Sequence, residues 1–413
     1  RIVMKTACLR GSREARARVS ITELRYFDHN AATPLAPEVA ETFAAATRDI
    51  FGNASSIHRA GQFARESLES SRRTIAGFIH ASPSEIVFTS GGTESNNLAI
   101  LGLVRNLSSS GAHVITTAIE HPSVLEPFRQ LAREGVEVTC VPVGASGIVD
   151  VDTIRRSLRD DTVLVSVMHA NNEIGTIQPI AEIAALLHAR RAAGQKVYFH
   201  SDGIQALGKV DVDVQALHAD LYSISAHKIF GPKGVGALFV RKGTPLRGIQ
   251  HGGRHERERR PGTENVPAAV AFARAVELCT TAAADSVAEM RDRFEARVLS
   301  ALDDVEINGA PGARLPNTGN LLFHGIAGEA MVIALDLKGM AVSTGSACSS
   351  GSIEPSPVLL AIGRTREEAK SSLRFSFSRY NTLEDADALA DAVIASARQL
   401  RRHARQEPQL ARA

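Results

Sequence analysis

The run Ser223-Ile224-Ser225-Ala226-His227-Lys228 closes an apolar stretch and opens onto Gly231-Pro232-Lys233-Gly234-Val235-Gly236. A lysine at a strand end inside a cleft can lose its charge by desolvation and form a Schiff base with an aldehyde. Ser225 and His227 beside it can donate hydrogen bonds to a phosphate. The chain has only eight lysines among its 47 basic residues, so a lysine within a motif is informative. An ordinary surface lysine before a glycine-rich turn would read the same way, and the neighbouring clusters must decide.

Four of them do. Phe88-Thr89-Ser90-Gly91-Gly92-Thr93-Glu94-Ser95-Asn96-Asn97 reads as a strand, a glycine turn and a helix start, where backbone N–H groups and the helix N-terminus favour an anion. Glu120-His121-Pro122 puts a histidine where it could lie flat on an aromatic ring, although a lone histidine is more often structural. His169-Ala170-Asn171-Asn172-Glu173 and His200-Ser201-Asp202-Gly203-Ile204-Gln205 follow further apolar runs. An aspartate beside a pyridine nitrogen keeps that nitrogen protonated and the ring electron-withdrawing. A lysine paired with such an aspartate is what pyridoxal 5′-phosphate requires of its protein.

Two further residues stand apart from these strand ends. Cys348 lies in Ser343-Thr344-Gly345-Ser346-Ala347-Cys348-Ser349-Ser350-Gly351, a polar, small-residue stretch that reads as a mobile loop. Cysteine prefers burial, so its place there suggests a reactive thiol, or else a merely tolerated small residue. Arg374, in Ser372-Leu373-Arg374-Phe375, could grip a carboxylate through two parallel hydrogen bonds. A surface salt bridge is the plainer reading.

Elements able to hold these groups are legible in the pattern. Short Val- and Ile-rich runs at 86–89, 113–117, 137–141, 163–168, 197–200, 221–225 and 236–240 alternate with helical stretches. That alternation predicts an α/β fold, with a mostly parallel seven-stranded sheet covered by helices, whose ligands bind beyond the carboxyl ends of the strands. Residues 38–285 would form this large domain. A smaller α+β domain would comprise 26–37 and 286–413, with strands near 320–323, 341–343 and 372–377 and a last helix over about 383–402. Residues 1–25, rich in arginine, read as a disordered tail.

With 44% hydrophobic and 22% charged residues, the 413-residue chain can bury a sizeable core and is not disordered or fibrous. Its net charge of +2 gives no electrostatic reason to expect direct nucleic-acid binding or a membrane surface. No apolar run is long enough to span a bilayer. Four scattered cysteines, Cys8, Cys140, Cys279 and Cys348, form no CxxC pair, which points to a reducing, cytoplasmic setting without a resident metal. Cys8, Cys140 and Cys279, read as lying in a tail, a strand and a helix, are assigned no chemistry.

Taken together, these motifs resemble the cysteine desulfurases, in the class V aminotransferase group of fold-type I pyridoxal-phosphate enzymes. The resemblance runs from Tyr26-Phe27-Asp28-His29-Asn30-Ala31-Ala32-Thr33-Pro34 to about Arg379. It implies that Lys228 is the Schiff-base lysine, that Asp202 pairs with the pyridinium and that His121 stacks on the ring. It places Asn172 and Gln205 on the ring-oxygen side, and Gly92, Thr93, Ser225 and His227 at the phosphate, with Thr263 reaching the phosphate site of a second subunit in a homodimer. Arg374 would bind the carboxylate of L-cysteine, with Asn172 and Asn30 lining the same pocket. Cys348 would take the sulfur as a persulfide, act at most as a transient iron–sulfur ligand, and pass the sulfur to an acceptor such as an iron–sulfur scaffold protein. Ala226, where many members have glycine, and Arg254, in a stretch often richer in glycine, depart from the commonest pattern without removing a chemical group. A selenocysteine lyase or another class V enzyme is the alternative.

Overall fold

The computed structural model describes residues 24–107, 111–279, 282–344 and 354–410. The chain begins with a two-residue strand, β1 (Arg25–Tyr26). A sheet of seven follows: β2 (Ile86–Thr89), β3 (His113–Thr117), β4 (Glu137–Val141), β5 (Thr162–Ser166), β6 (Tyr198–Asp202), β7 (Leu221–Ser225) and β8 (Gly236–Val240). Their order is β2-β8-β7-β6-β5-β3-β4. Every residue of β2, β3, β7 and β8 is buried, as expected of strands covered on both faces by helices.

Only β8 runs against its neighbours β2 and β7. The ten residues joining β7 to β8 are too few for the helical crossover that a parallel partner needs. The consequence for function is geometric. β2, β3, β5, β6 and β7 all point the same way, so Thr89, Thr117, Ser166, Asp202 and Ser225 end on one edge of the sheet. Five of the seven strands begin and end where the sequence predicts. β5 and β6 are displaced by one or two residues, because apolar content alone does not mark where hydrogen bonding stops.

A second apolar core gathers Phe27 with Phe294, Phe323, Phe375, Phe377 and Leu389. It is built on an antiparallel sheet of β9 (Val305–Ile307), β10 (Thr318–Phe323) and β12 (Ser372–Ser376), with β11 (Met340–Ala341) paired in parallel to β1. Helices Ala282–Ala301 and Leu383–Leu410 pack on one another over it. The last helix thus extends beyond the predicted 402. β1 and β9 were not foreseen, being two and three residues long. Cys140 sits on the edge strand β4 and is exposed; Cys279 lies just past the helix Val266–Glu277 and not within it. Cys8 and Cys348 fall outside the described residues. Among those described, no helix is long and apolar enough to cross a membrane.

One buried ion pair fastens the loop after β8 to the sheet. Arg72 meets Glu256 through two 2.7 Å hydrogen bonds, and the same carboxylate accepts from the Phe88 amide at 2.8 Å. Both side chains are almost fully buried, and Glu256, Arg257 and Glu258 all adopt positive φ, a conformation that side-chain-bearing residues hold only when their surroundings impose it. Removing one partner strands the other charge in the interior. Arg72→Met should therefore lose about 3–5 kcal/mol of stability, read as a lower midpoint in urea unfolding; an unchanged midpoint would show the pair to be dispensable.

Candidate active site

The strand ends and the small core enclose a cavity of about 840 Å³, counting its open mouth. Lys228 reaches it from a short turn after β7, where its Nζ donates to the carbonyls of Asn30 and Ala31, at 2.7 Å each. Thr33 clamps that turn: its amide and hydroxyl both donate to the His227 carbonyl, and its hydroxyl accepts from the Phe230 amide. The amino-terminal motif and the lysine motif therefore form one unit.

Asp202 ends β6 and lines the same cavity. Its carboxylate accepts from Asn96 Nδ2 at 2.8 Å and from the Ile204 amide at 3.0 Å. Burial pushes its pKa up, while His121 and Lys228 pull it back. A buried carboxylate in this state favours a cationic partner. Gly203 follows it because a Cβ there would lie 2.0 Å from the Tyr222 ring.

His121 caps the helix Pro122–Arg133. Its Nδ1 accepts from the Ser123 amide at 3.0 Å, which leaves Nε2 as the protonated nitrogen of the neutral ring. Desolvation is the main cause of its lowered pKa, with Lys228 adding to it and Asp202 opposing. Asn96 joins the two sites, donating through Nδ2 to Asp202 and to the Ser123 hydroxyl, which in turn meets His121 Nδ1 at 2.7 Å. Neither Asn96 nor Ser123 was singled out from sequence as a site residue.

At the opposite end, Ser90, Gly91, Gly92 and Thr93 with His227 form a cup at the start of the helix Gly92–Leu107. Gly91 has φ +147°, open to glycine alone. Ser225 Oγ and His227 Nδ1 lie 2.9 Å apart, and burial lowers the His227 pKa to about 4. Glu94 holds the cup by accepting from the Ser90 amide at 2.6 Å, and pairs with Arg260 at 2.9 Å. Thr263, three residues beyond Arg260, is exposed and lines neither this cup nor the cavity of its own chain.

Arg374 enters from β12 with 1% of its surface exposed. Its guanidinium donates to Asp28 at 2.7 Å and to the Asn172 carbonyl at 2.9 Å. Asp28 was quoted within the amino-terminal motif but given no role. Asn30 lines the cavity, yet its amide is used within the protein: Nδ2 donates to Thr318 Oγ1 and to the Asn172 carbonyl, and Oδ1 accepts from Lys209 and Asn317. Gln205 donates to the Asn30 carbonyl at 2.9 Å. Asn171 shapes the turn, accepting from the Glu173 and Ile174 amides, and leaves Asn172 to the cavity.

Cys348 lies outside the described residues, but both flanks of its segment are placed. Ser343 pairs with the Arg374 backbone, and Ser356 donates to the buried Glu173 carboxylate at 2.5 Å. From Ser343 to Cys348 is five residues, a reach of at most ~18 Å.

The donor set suits pyridoxal phosphate: an amine, a buried carboxylate that favours a cation, a neutral imidazole and an anion cup are arranged around one cavity. Among known proteins, residues 25–389 match the family described as aminotransferase class-V. A cysteine desulfurase IscS from Dictyoglomus turgidum is 46% identical over 371 residues, covering 89% of this chain and 93% of that protein. A solved NifS-like protein superposes with a TM-score of 0.84 at 34% identity, over 90% of this chain and 98% of the other. SspA, solved in complex with cysteine, does so with a TM-score of 0.76 at 34% identity, over 86% and 99%.

Proposed function

Because the chain belongs to the aminotransferase class-V family, we infer that it works as a cysteine desulfurase, converting L-cysteine to L-alanine and passing the sulfur to an acceptor. The observation that carries this reading is the placement of Lys228 and Asp202, at the ends of adjacent strands, in one cavity with buried Arg374.

Pyridoxal phosphate, held by Lys228, Asp202, His121 and the cup at 90–93, supplies an electron sink for the substrate α-carbon. Arg374 and Asn172 orient the substrate carboxylate, with Asp28 sharing the guanidinium. Lys228 Nζ takes the α-proton. Asp202 would keep a proton on the ring nitrogen, and the Asn96–Ser123 link fixes His121 at the cavity wall. The Cys348 thiolate attacks the substrate sulfur; the Cβ–S bond breaks, its electron pair stays with the carbon fragment, and that fragment takes up protons to become alanine. Cys348 is left as a persulfide for an acceptor thiol, such as one on an iron–sulfur scaffold protein.

Domains 38–285 and 26–37 with 286–413 would close on this cavity, in a cytoplasmic homodimer. Large apolar side chains stand bare on the described chain: Phe51 at 82% exposure, Ile57 at 89% and Phe63 at 56%. Together with the exposed Thr263, they support a two-fold interface that lends Thr263 to the partner's cup. Sedimentation should give a dimer, and Ile57→Asp should shift it toward monomer; a fully active wild-type monomer would refute the arrangement.

The reading as a whole is tested by alanine production from L-cysteine with added pyridoxal phosphate and a thiol. Turnover of selenocysteine with none of cysteine would hand the site to the selenocysteine-lyase alternative.

A further inference from the structure

Lys209 carries no motif and was not expected to have a role, yet its ammonium reaches the wall of the cavity. It donates to Gln205 Oε1 at 2.6 Å and to Asn30 Oδ1 at 3.0 Å. The residue as a whole is half-buried, its stem lining a second cavity with His29, Gly208 and Cys279, while the ammonium end is enclosed. The titratable and charged groups facing it are Lys228, Arg374 with its partner Asp28, and His29, whose ring burial keeps neutral, across the second cavity.

We infer that Lys209 is a positioning residue: it fixes the amides of Gln205 and Asn30 in one orientation and so turns Gln205 Nε2 toward the atom bound next to Lys228. This rests on the reading of the cavity as a pyridoxal phosphate site.

The two ends of a glutamine amide are nearly alike in shape, and its hydrogen-bond partners decide which faces which way. Lys209 offers donors, so both amide oxygens turn to it. Gln205 Nε2 then has one direction left. It donates to the Asn30 carbonyl, the same oxygen that accepts from Lys228 Nζ at 2.7 Å. Gln205 Nε2 and Lys228 Nζ thus converge on one oxygen, and both residues line the cavity. In pyridoxal phosphate the phenolic oxygen is next to the carbon that a lysine amine joins, so that oxygen would be the acceptor nearest Gln205 Nε2. A flipped amide would instead set Oε1 against it.

Holding this lysine here costs free energy. Burial pushes its pKa well below the usual lysine value, and Lys228 and Arg374 push in the same direction. The two hydrogen bonds need two protons, which ammonium and neutral amine both have, so the arrangement survives that shift. A neutral side chain would fill the same space without the desolvation cost.

The test uses full-length protein loaded with pyridoxal phosphate, its yellow absorption followed against pH in wild type, Lys209→Met, Gln205→Leu and the double variant. Losing a donor to the phenolic oxygen makes the chromophore hold its proton more tightly. Each single variant should raise the midpoint of the colour change by about one pH unit, and the double variant should match the singles, because Lys209 acts through Gln205. If Lys209→Met does not fold, Lys209→Leu, which likewise has no donor, takes its place in the same cycle, and Gln205→Leu alone must still show the shift. A yellow wild type with an unshifted Gln205→Leu or an unshifted Lys209 variant, or with additive shifts in the double variant, overturns this inference and leaves the cofactor reading intact. A wild type that stays colourless with added pyridoxal phosphate brings both down.

Discussion

Cys348→Ser should still take up L-cysteine, with a spectral change on mixing, while alanine formation falls to background. The two halves of the reaction use different residues. In the proposed mechanism Lys228 acts on the substrate α-carbon, Asp202 on the cofactor ring and Arg374 on the substrate carboxylate, from the turn after β7, the end of β6 and β12. Only sulfur transfer needs a soft nucleophile. A thiol ionises near pH ~8.5, within reach of neutral pH, whereas a serine hydroxyl does not. Cys140→Ser and Cys279→Ser should keep most activity. Cys140 is exposed on the outermost strand β4, and burial pushes the Cys279 thiol up to about 11, which keeps it protonated. Alanine formation by Cys348→Ser at a near wild-type rate, without added thiol, would mean that no persulfide is needed.

The second large effect is expected at Lys228. In the proposed mechanism Lys228→Ala removes the covalent anchor of the cofactor and the base that takes the α-proton, and the proton-transfer share alone is worth about 10²–10⁴-fold. Any pyridoxal phosphate that remains should be washed out by dialysis, since Asp202, His121 and the cup at 90–93 would hold it without a covalent bond. Borohydride reduction of the wild type followed by peptide mapping should mark Lys228. Lys233, five residues on and at the rim of the anion cup, is the informative rival, and a label there would move the anchor. Lys209 is the other nearby amine, but its two amide partners hold it beyond the wall.

Much of this site is legible in the sequence because a parallel sheet brings its chemistry to the carboxyl ends of its strands. Thr89 and Ser225 each close an apolar run that pattern alone marks as a strand, Asp202 lies two residues past a third such run, and the polar residues after those runs are the ones that face the cavity. The partners of these residues are harder to see. Arg374 and Asp28 lie 346 residues apart, and Arg72 and Glu256 lie 184 apart, with no local periodicity linking either pair. Asn96 falls within a quoted motif, but a helical asparagine gives no sign that it bridges Asp202 and Ser123. Lys209 stands four residues after Gln205 in a turn, where the spacing that would suggest contact on a helix carries no weight. Asn30 was expected to line the substrate pocket; its amide is consumed by four protein partners, and what it presents to Lys228 is its carbonyl.

The central claim is that sulfur leaves L-cysteine and comes to rest on Cys348. Purified protein loaded with pyridoxal phosphate is mixed with L-cysteine, without added thiol, and digested for mass spectrometry under non-reducing conditions. The peptide containing Cys348 should gain the mass of one sulfur atom, while those containing Cys140 and Cys279 stay unchanged. Alanine released with no sulfur added to the Cys348 peptide would contradict the account.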